Sequence, residues 1–416
     1  MPLTVPTTVF PSERRAIGGA REATPGTPLA PTFSIPVVGF VPEDKPIWLP
    51  DESMRAAMAA TYGLIQGPYV ADLTFDASPV YMDTIGHFLW NILGDYTSSG
   101  VSTGTTGTIS NVGGYPAATT GSIKVPQGSN FAAGAPGFVQ LDVTGTNSEI
   151  VAYSSAAGTN IVLSGTTRFA HAQNATVFQV TGSYAHVFSL LNGTGNAQPP
   201  THTITDRTFI PANQARWYPF TCMSEMTFTG NAEKLFTWAG KGMSYANQEP
   251  NSAPTSTFSS VPAEPSWNST FGLGGTVSGA QIYQVGEWEF TLTRVVEPYY
   301  TADGAQNPYI LGRGKFSTTG KVTFAPTIDE VPLTEMLNNV QPQIQVIQTN
   351  GLTGTLAESI QFDVQQCAFD ASVIEPGKAL FGYNDSFQAI ANTTNVGNSA
   401  GYGPIQITLK NQTPVY

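Results

Sequence analysis

Two carboxylates stand two residues apart at Glu287 and Glu289, within Gly286-Glu287-Trp288-Glu289-Phe290-Thr291-Leu292-Thr293. In an extended strand, side chains at i and i+2 share a face. Two acids facing a sugar are what glycoside hydrolysis requires, and Trp217, Trp267 and Trp288 are available as stacking surfaces. Catalytic acids, however, come as a rule from different strands, and a same-strand pair is more often a solvated face. The four histidines, His87, His171, His186 and His202, are not at metal-ligand spacing, and neither HExxH nor CxxC occurs. The glycine loop Phe271-Gly272-Leu273-Gly274-Gly275 has no lysine and no βαβ setting to cradle a phosphate. We therefore expect no enzyme, no catalytic residue, no metal and no cofactor.

The composition narrows the classes further. The 416 residues include 17 Lys+Arg against 29 Asp+Glu, a formal net charge of −12. Charged residues make up 11% of the chain, against about 25% in an average soluble protein. Such a balance disfavours gripping nucleic acid, because phosphate contacts need Lys and Arg. It leaves room for a surface past which nucleic acid moves without sticking. Aromatic residues at 11% and ordered apolar runs argue against global disorder. No apolar stretch approaches the ~20 residues of a membrane-spanning helix, and no secretory signal is visible at Met1-Pro2-Leu3-Thr4-Val5-Pro6. Cys222 and Cys367 both lie in or beside apolar strand patterns and read as two buried thiols, although a pair remains open.

The elements that must position these residues are mostly strands. Residues 1–32 are rich in Pro, Thr and Ala and read as an extended N-terminal arm. Residues 33–121 read as the first part of a main domain. It holds a strand at Phe33–Phe40, a short helix at Asp51–Ala60 and a strand at Tyr69–Phe75. A second helix lies between Pro79, suited to its first turn, and Gly94 as its stop. The Gly/Ser/Thr tract at 94–121 reads as a flexible connection. Four short strand patterns then give an inserted β module at 122–182. Residues 183–416 resume the main domain, with a bulge expected at Gly320 and a short helix in Ile328–Leu337. The fold class is mainly β: a two-sheet sandwich or barrel with a flanking helix and a small β insert.

Three late strands carry one wet face each. Glu287, Glu289, Thr291 and Thr293 oppose Trp288, Phe290 and Leu292. Gln361, Asp363 and Gln365 oppose Ile360, Phe362 and Val364; Met223, Glu225 and Thr227 oppose Cys222, Met226 and Phe228. Each reads as an antiparallel strand with water on one side. Together they suit the wall of a water-filled channel, with sparse acids and many Gln, Ser and Thr.

This order of elements resembles the major tail tube proteins of long-tailed, siphovirus-type bacteriophages. The resemblance rests on the Pro-rich arm, the helix at 80–93, the β insert with Val139-Gln140-Leu141-Asp142 and Glu149-Ile150-Val151, and the closing run Ile405–Asn411. The stretch Thr291–Tyr300, followed by Gly312–Thr323, is similar to the family's link between inner strands. The resemblance covers the architecture of residues 33–416 and carries no signature motif. It implies a structural protein of the virion tail, assembled in the host bacterial cytoplasm as a homohexamer whose rings stack helically into a tube. Implied partners are further copies of the chain, tape-measure, terminator and distal tail proteins, and double-stranded DNA that passes during ejection without specific binding; no membrane is involved. On that basis Glu287, Glu289, Asp363 and Glu225 are expected to line the channel. The alternatives are a carbohydrate-binding or carbohydrate-cleaving fibre or adhesin, and another tail ring such as a terminator or hub.

Overall fold

The computed structural model describes residues 15–55, 58–132, 137–143, 148–167, 169–192, 198–207, 215–248, 262–278, 282–325, 331–352, 357–375 and 382–416. From the N-terminal side the elements are β1 (Ala16–Arg21), β2 (Phe33–Ser34), β3 (Phe40–Asp51), β4 (Gly63–Pro79), α1 (Ile85–Leu93) and β5 (Gly94–Thr108). The module adds β6 (Gly121–Lys124), β7 (Gly137–Leu141), β8 (Glu149–Ala157) and β9 (Asn160–Leu163), and β10 (Thr176–Leu190) leads out of it. Next come β11 (His202–Arg207), β12 (Ala215–Asn231), β13 (Thr237–Ser244), β14 (Ser269–Leu273), β15 (Ile282–Tyr283), β16 (Val285–Tyr299) and β17 (Ile310–Phe324). The last elements are α2 (Val331–Leu337), β18 (Ile344–Thr349), β19 (Ser359–Val364), β20 (Cys367–Glu375), β21 (Gly382–Ala389) and β22 (Gln406–Asn411).

The strands form two antiparallel sheets. The first runs β2-β1-β11-β12-β16-β17-β21-β20, with β13, β4 and β3 continuing from β12. The second runs β15-β14-β18-β19-β22-β10-β7-β8-β9-β6, with β5 on β10. The two pack face to face as a mainly β sandwich. Period-2 alternation puts Phe228 and Phe290 of the first sheet against Phe362 of the second, each at 5.1 Å between ring centroids. Trp288 joins them at 5.7 Å from Phe362.

Helix α1 flanks the sandwich, and all its residues except His87 are buried. It begins at Ile85, not at Pro79, which instead ends β4. Gly94 stops it with φ 95°, a conformation open to glycine. The buried Arg294 donates from Nη1 to the Ile92 and Leu93 carbonyls at 2.8 and 3.3 Å, satisfying acceptors that every helix leaves unpaired at its end.

Four expectations are corrected. The described part of the N-terminal arm is sewn into the first sheet: β1 pairs with β11 and β2, and Arg15 forks onto the Asp206 carboxylate with both bonds at 2.6 Å. Glycine makes this possible, since a Cβ on Gly19 would lie 2.5 Å from the Phe33 ring. Residues 1–14 of that arm lie outside the described residues. Asp51–Ala60 is not a helix: Asp51 ends β3, and Tyr62 N–H bonds back to the Asp51 carbonyl at 2.8 Å to close a hairpin; residues 56 and 57 of that stretch are not described. Hairpin pairing overrides alanine's helix propensity. The Gly/Ser/Thr tract starts with fifteen residues of strand, β5, laddered along β10; its pairing is invisible in composition because both of its faces are mostly polar. Gly320 makes no bulge. It stays in register opposite Phe290, and a Cβ there would lie 2.3 Å from the Phe387 ring.

The module has its own hydrophobic core, drawing on residues from Ile109 to Val177 with Tyr153 and Phe131 at its centre. Strand β10 is shared: its first residues pair with β7 in the module and its last with β22 in the sandwich. Of the long loop expected at 249–270, residues 249–261 are not described, while Ser269 and Thr270 begin β14. Helix α2 carries Pro332 in its first turn, as expected; residues 328–330 lie outside the described residues.

Candidate functional site

Three of the four expected channel residues share one surface. Glu225 on β12 and Glu287 and Glu289 on β16 lie on the outer face of the first sheet, because Met226, Phe228, Trp288 and Phe290 take the inner positions. The cross-strand register sets Thr229 opposite Glu289 and Asn231 opposite Glu287. Asn231 Nδ2 donates to Glu287 Oε2 at 3.2 Å, and the Thr227 and Thr291 hydroxyls meet at 3.1 Å. Two lysines stand among the acids. Lys241 on β13 donates to Glu225 Oε1 at 2.8 Å, and Lys321 on β17 is the cross-strand neighbour of Glu289. At the Glu287 end the surface dips into an open concavity of about 420 Å³ bordered by Asn231, Glu289, Lys321 and Asn384.

The fourth residue is elsewhere. Asp363 lies on β19 of the second sheet, with Phe362 beside it pointing into the shared core. Gln343, Gln345 and Gln361 donate to its carboxylate at 2.8, 3.2 and 3.4 Å. The sandwich core thus separates Asp363 from the other three acids.

The strand of Glu225 also departs from the expected alternation. The register shifts between Met223 and Glu225, so Met223 joins Met226 and Phe228 in the main core. Cys222 instead joins a smaller cluster with Val70, Phe220 and Leu311. Such an irregularity turns the strand over by one residue. Cys222 and Cys367 are both free and buried, and burial pushes the Cys222 thiol up to about 11.

Trp288 and Trp217 are buried and present no face to a sugar; Trp267 is exposed. A serine motif passed over in the sequence, Gly397-Asn398-Ser399-Ala400-Gly401, has nucleophile-elbow spacing. Its Ser399 hydroxyl accepts from Asn192 N–H at 2.9 Å and donates to the Leu190 carbonyl at 3.3 Å, with no histidine in the network. It ties a loop down.

Three histidines distant in sequence do converge. His87 stacks on Phe33 at 3.7 Å and meets His202 edge-on at 5.9 Å, while His87 and His186 both pack on Tyr416, at 4.9 and 4.8 Å. Burial lowers His186 to about 4 and His202 to about 3. Asn91 fixes the His202 tautomer: its Oδ1 accepts from Met223 N–H, so its Nδ2 donates to His202 Nδ1. Among the described residues no group of three or more His, Cys, Asp or Glu could hold a metal ion. This cluster is packing, and only the tertiary fold reveals it.

No protein-family profile and no curated protein matches the chain. Among solved structures, the chain has a weak likeness to the SPP1 tail tube, determined by solid-state NMR and cryo-EM. The identity is 12%, the TM-score 0.22, and the match covers 35% of this chain and 77% of that one.

Proposed function

We propose that the chain is a structural subunit that polymerises through stacked rings into a phage tail tube, with no catalytic role. The observation that carries this reading is the β3–β4 hairpin. Strand β4 pairs with β13 only from Ala71 to Pro79, whereas Gly63 to Gln66 pair with β3 alone. The distal hairpin therefore extends past the sheet with no third strand. A lone two-stranded ribbon is marginal in water. This one also exposes Trp48, Leu49, Leu64 and Ile65, at 53, 49, 61 and 64%, and Met54 and Met58 entirely at its tip. Leu49 and Ile65 share one face of the ribbon and Trp48 and Leu64 the other, and large apolar side chains exposed on both faces mark an interaction site. A self-assembling subunit would cover it with its neighbours.

In this reading the face bearing Glu225, Glu287 and Glu289 lines the channel, and Asp363 lies behind it on the other sheet. Three acids interleaved with Lys241 and Lys321 give a hydrated wall with little net attraction for a polyanion, suited to letting DNA slide. Negative-stain electron microscopy of the purified protein over a concentration series tests the assembly. Hollow tubes of stacked rings are expected. The double variant Trp48→Asp with Ile65→Asp should stay unassembled while its stability changes by no more than ~0.5 kcal/mol, as for exposed positions. Wild-type protein that sediments as a monomer at every concentration, or a double variant that still forms tubes, overturns the reading.

A further inference from the structure

A cleft of about 480 Å³ opens where the inserted module meets the sandwich. Arg21, Trp90 and Tyr416 border it on the sandwich side, and Ala118, Ile150 and Thr166 on the module side. Pockets at such junctions, with apolar walls and a few polar groups, are where small ligands settle.

The polar groups of this cleft are unevenly satisfied. Its two side-chain carboxylates already accept hydrogen bonds from the protein. Glu22 accepts from Gly26 N–H, Phe220 N–H and the Thr201 and Thr203 hydroxyls, at 2.6–2.8 Å. Glu149 Oε1 accepts from His171 Nε2 at 2.7 Å and from Phe169 N–H at 3.0 Å. Arg21 is different. Its guanidinium lies over the Trp90 ring, 4.5 Å from the centroid, and no carboxylate among the described residues pairs with it. Desolvation lowers its pKa, with only the Tyr96 phenol acting the other way. A guanidinium offers five N–H donors and no acceptor. The acids thus already have donors from the protein, whereas the guanidinium borders the cleft without a carboxylate partner among the described residues. Around it, Pro25, Pro199 and Val415 supply apolar wall, and Val415 is 41% exposed. Ala118 holds φ 53°, a left-handed conformation that a non-glycine residue rarely adopts and that collects at ligand sites.

We propose that this cleft binds a small amphipathic organic anion, its carboxylate or sulfonate on the Arg21 guanidinium and its apolar body against Pro25, Pro199 and Val415. A bound molecule would touch both the sandwich and the module, and so would brace one against the other. The proposal is independent of the tube reading, since it needs only the folded single chain.

The probe is 8-anilinonaphthalene-1-sulfonate, titrated by fluorescence and calorimetry into dilute full-length protein, beside the uncharged N-phenyl-1-naphthylamine. One sulfonate site per chain is expected. Arg21→Met should weaken it about tenfold or more, the scale of a lost charge-assisted contact, and leave the uncharged dye unchanged. Val415→Asp, which adds a negative charge to the cleft while leaving Arg21 in place, should weaken the sulfonate similarly, so the test survives if Arg21→Met fails to fold. No saturable sulfonate binding by the wild type, or affinity unchanged in Val415→Asp, overturns the proposal. Displacement of the dye by inorganic phosphate at equal concentration also overturns it, because the apolar wall would then contribute nothing.

Discussion

Asn91 shows how much one polar side chain can hold. Its amide donates to the Thr221 carbonyl at 2.8 Å and to His202, and accepts from Met223 N–H at 2.7 Å. Those partners sit where β12 passes through Phe220, at φ 56°, and shifts register. Asn91→Leu would leave three buried groups unpaired, and we expect a loss of about 3 kcal/mol in urea unfolding. Two buried histidines and two buried acids make stability depend on pH in opposite senses below neutrality. His186 and His202 have an ordinary value of 6.5 and fall to about 4 and 3 in the fold, chiefly through burial. The unfolded chain takes up these protons first, so their contribution is complete above 6.5 and is lost as pH falls through 4 and 3. Glu264 and Glu358 are raised from 4.5 to about 7, first by desolvation and then by a neighbouring acid, Glu358 for Glu264 and Asp83 for Glu358. Their contribution is complete below 4.5 and is lost as pH rises through 7. Melting temperature against pH should therefore form a dome with its top below neutrality, and Glu264→Gln with Glu358→Gln should flatten the fall toward pH 7. A fall toward pH 7 that keeps its slope in the double variant would reject that assignment.

At the scale of elements, α1 and the C-terminal segment are fitted to each other through a missing side chain. A Cβ on Gly86 would lie 2.3 Å from the Tyr416 ring. Tyr416 is buried, and its hydroxyl donates to the Met82 carbonyl at 2.9 Å. Gly86→Ala lies in a helix, where alanine is otherwise the better residue by ~1 kcal/mol. We expect the clash to win and to expel Tyr416, seen as new carboxypeptidase cleavage at the C-terminus; a resistant and more stable variant would contradict this. The helix itself was legible from apolar spacing and the Gly94 stop, but its N-terminal boundary was not. Pro79 suits a first helical turn and equally suits the end of a strand, and the pairing of Thr237 with Pro79 decides for the strand.

At the scale of the whole molecule, the shared core and the projecting hairpin belong to different problems. The sandwich buries its aromatic residues within one chain, whereas the hairpin leaves Trp48 and Ile65 for another surface. The module keeps a second core and is held near the sandwich by Ser98, whose hydroxyl accepts from Ile150 N–H at 3.0 Å. Alternation around Glu287 told which side chains share a face, because a strand repeats every two residues whatever surrounds it. It could not tell which sheet a strand joins. Glu289 and Asp363 look alike in sequence and end up on opposite outer faces. The sequence by itself determined the mainly β class, the apolar and polar faces of β16 and β19, a helix stopping at Gly94 and the burial of both cysteines, since these follow from local periodicity and residue size. Only the tertiary structure decided that the Gly/Ser/Thr tract is a strand, that Asp51 closes a hairpin with Tyr62, that Met223 turns inward and that three histidines meet. Each of these depends on a partner far along the chain, and pairing between distant strands leaves no trace in local composition.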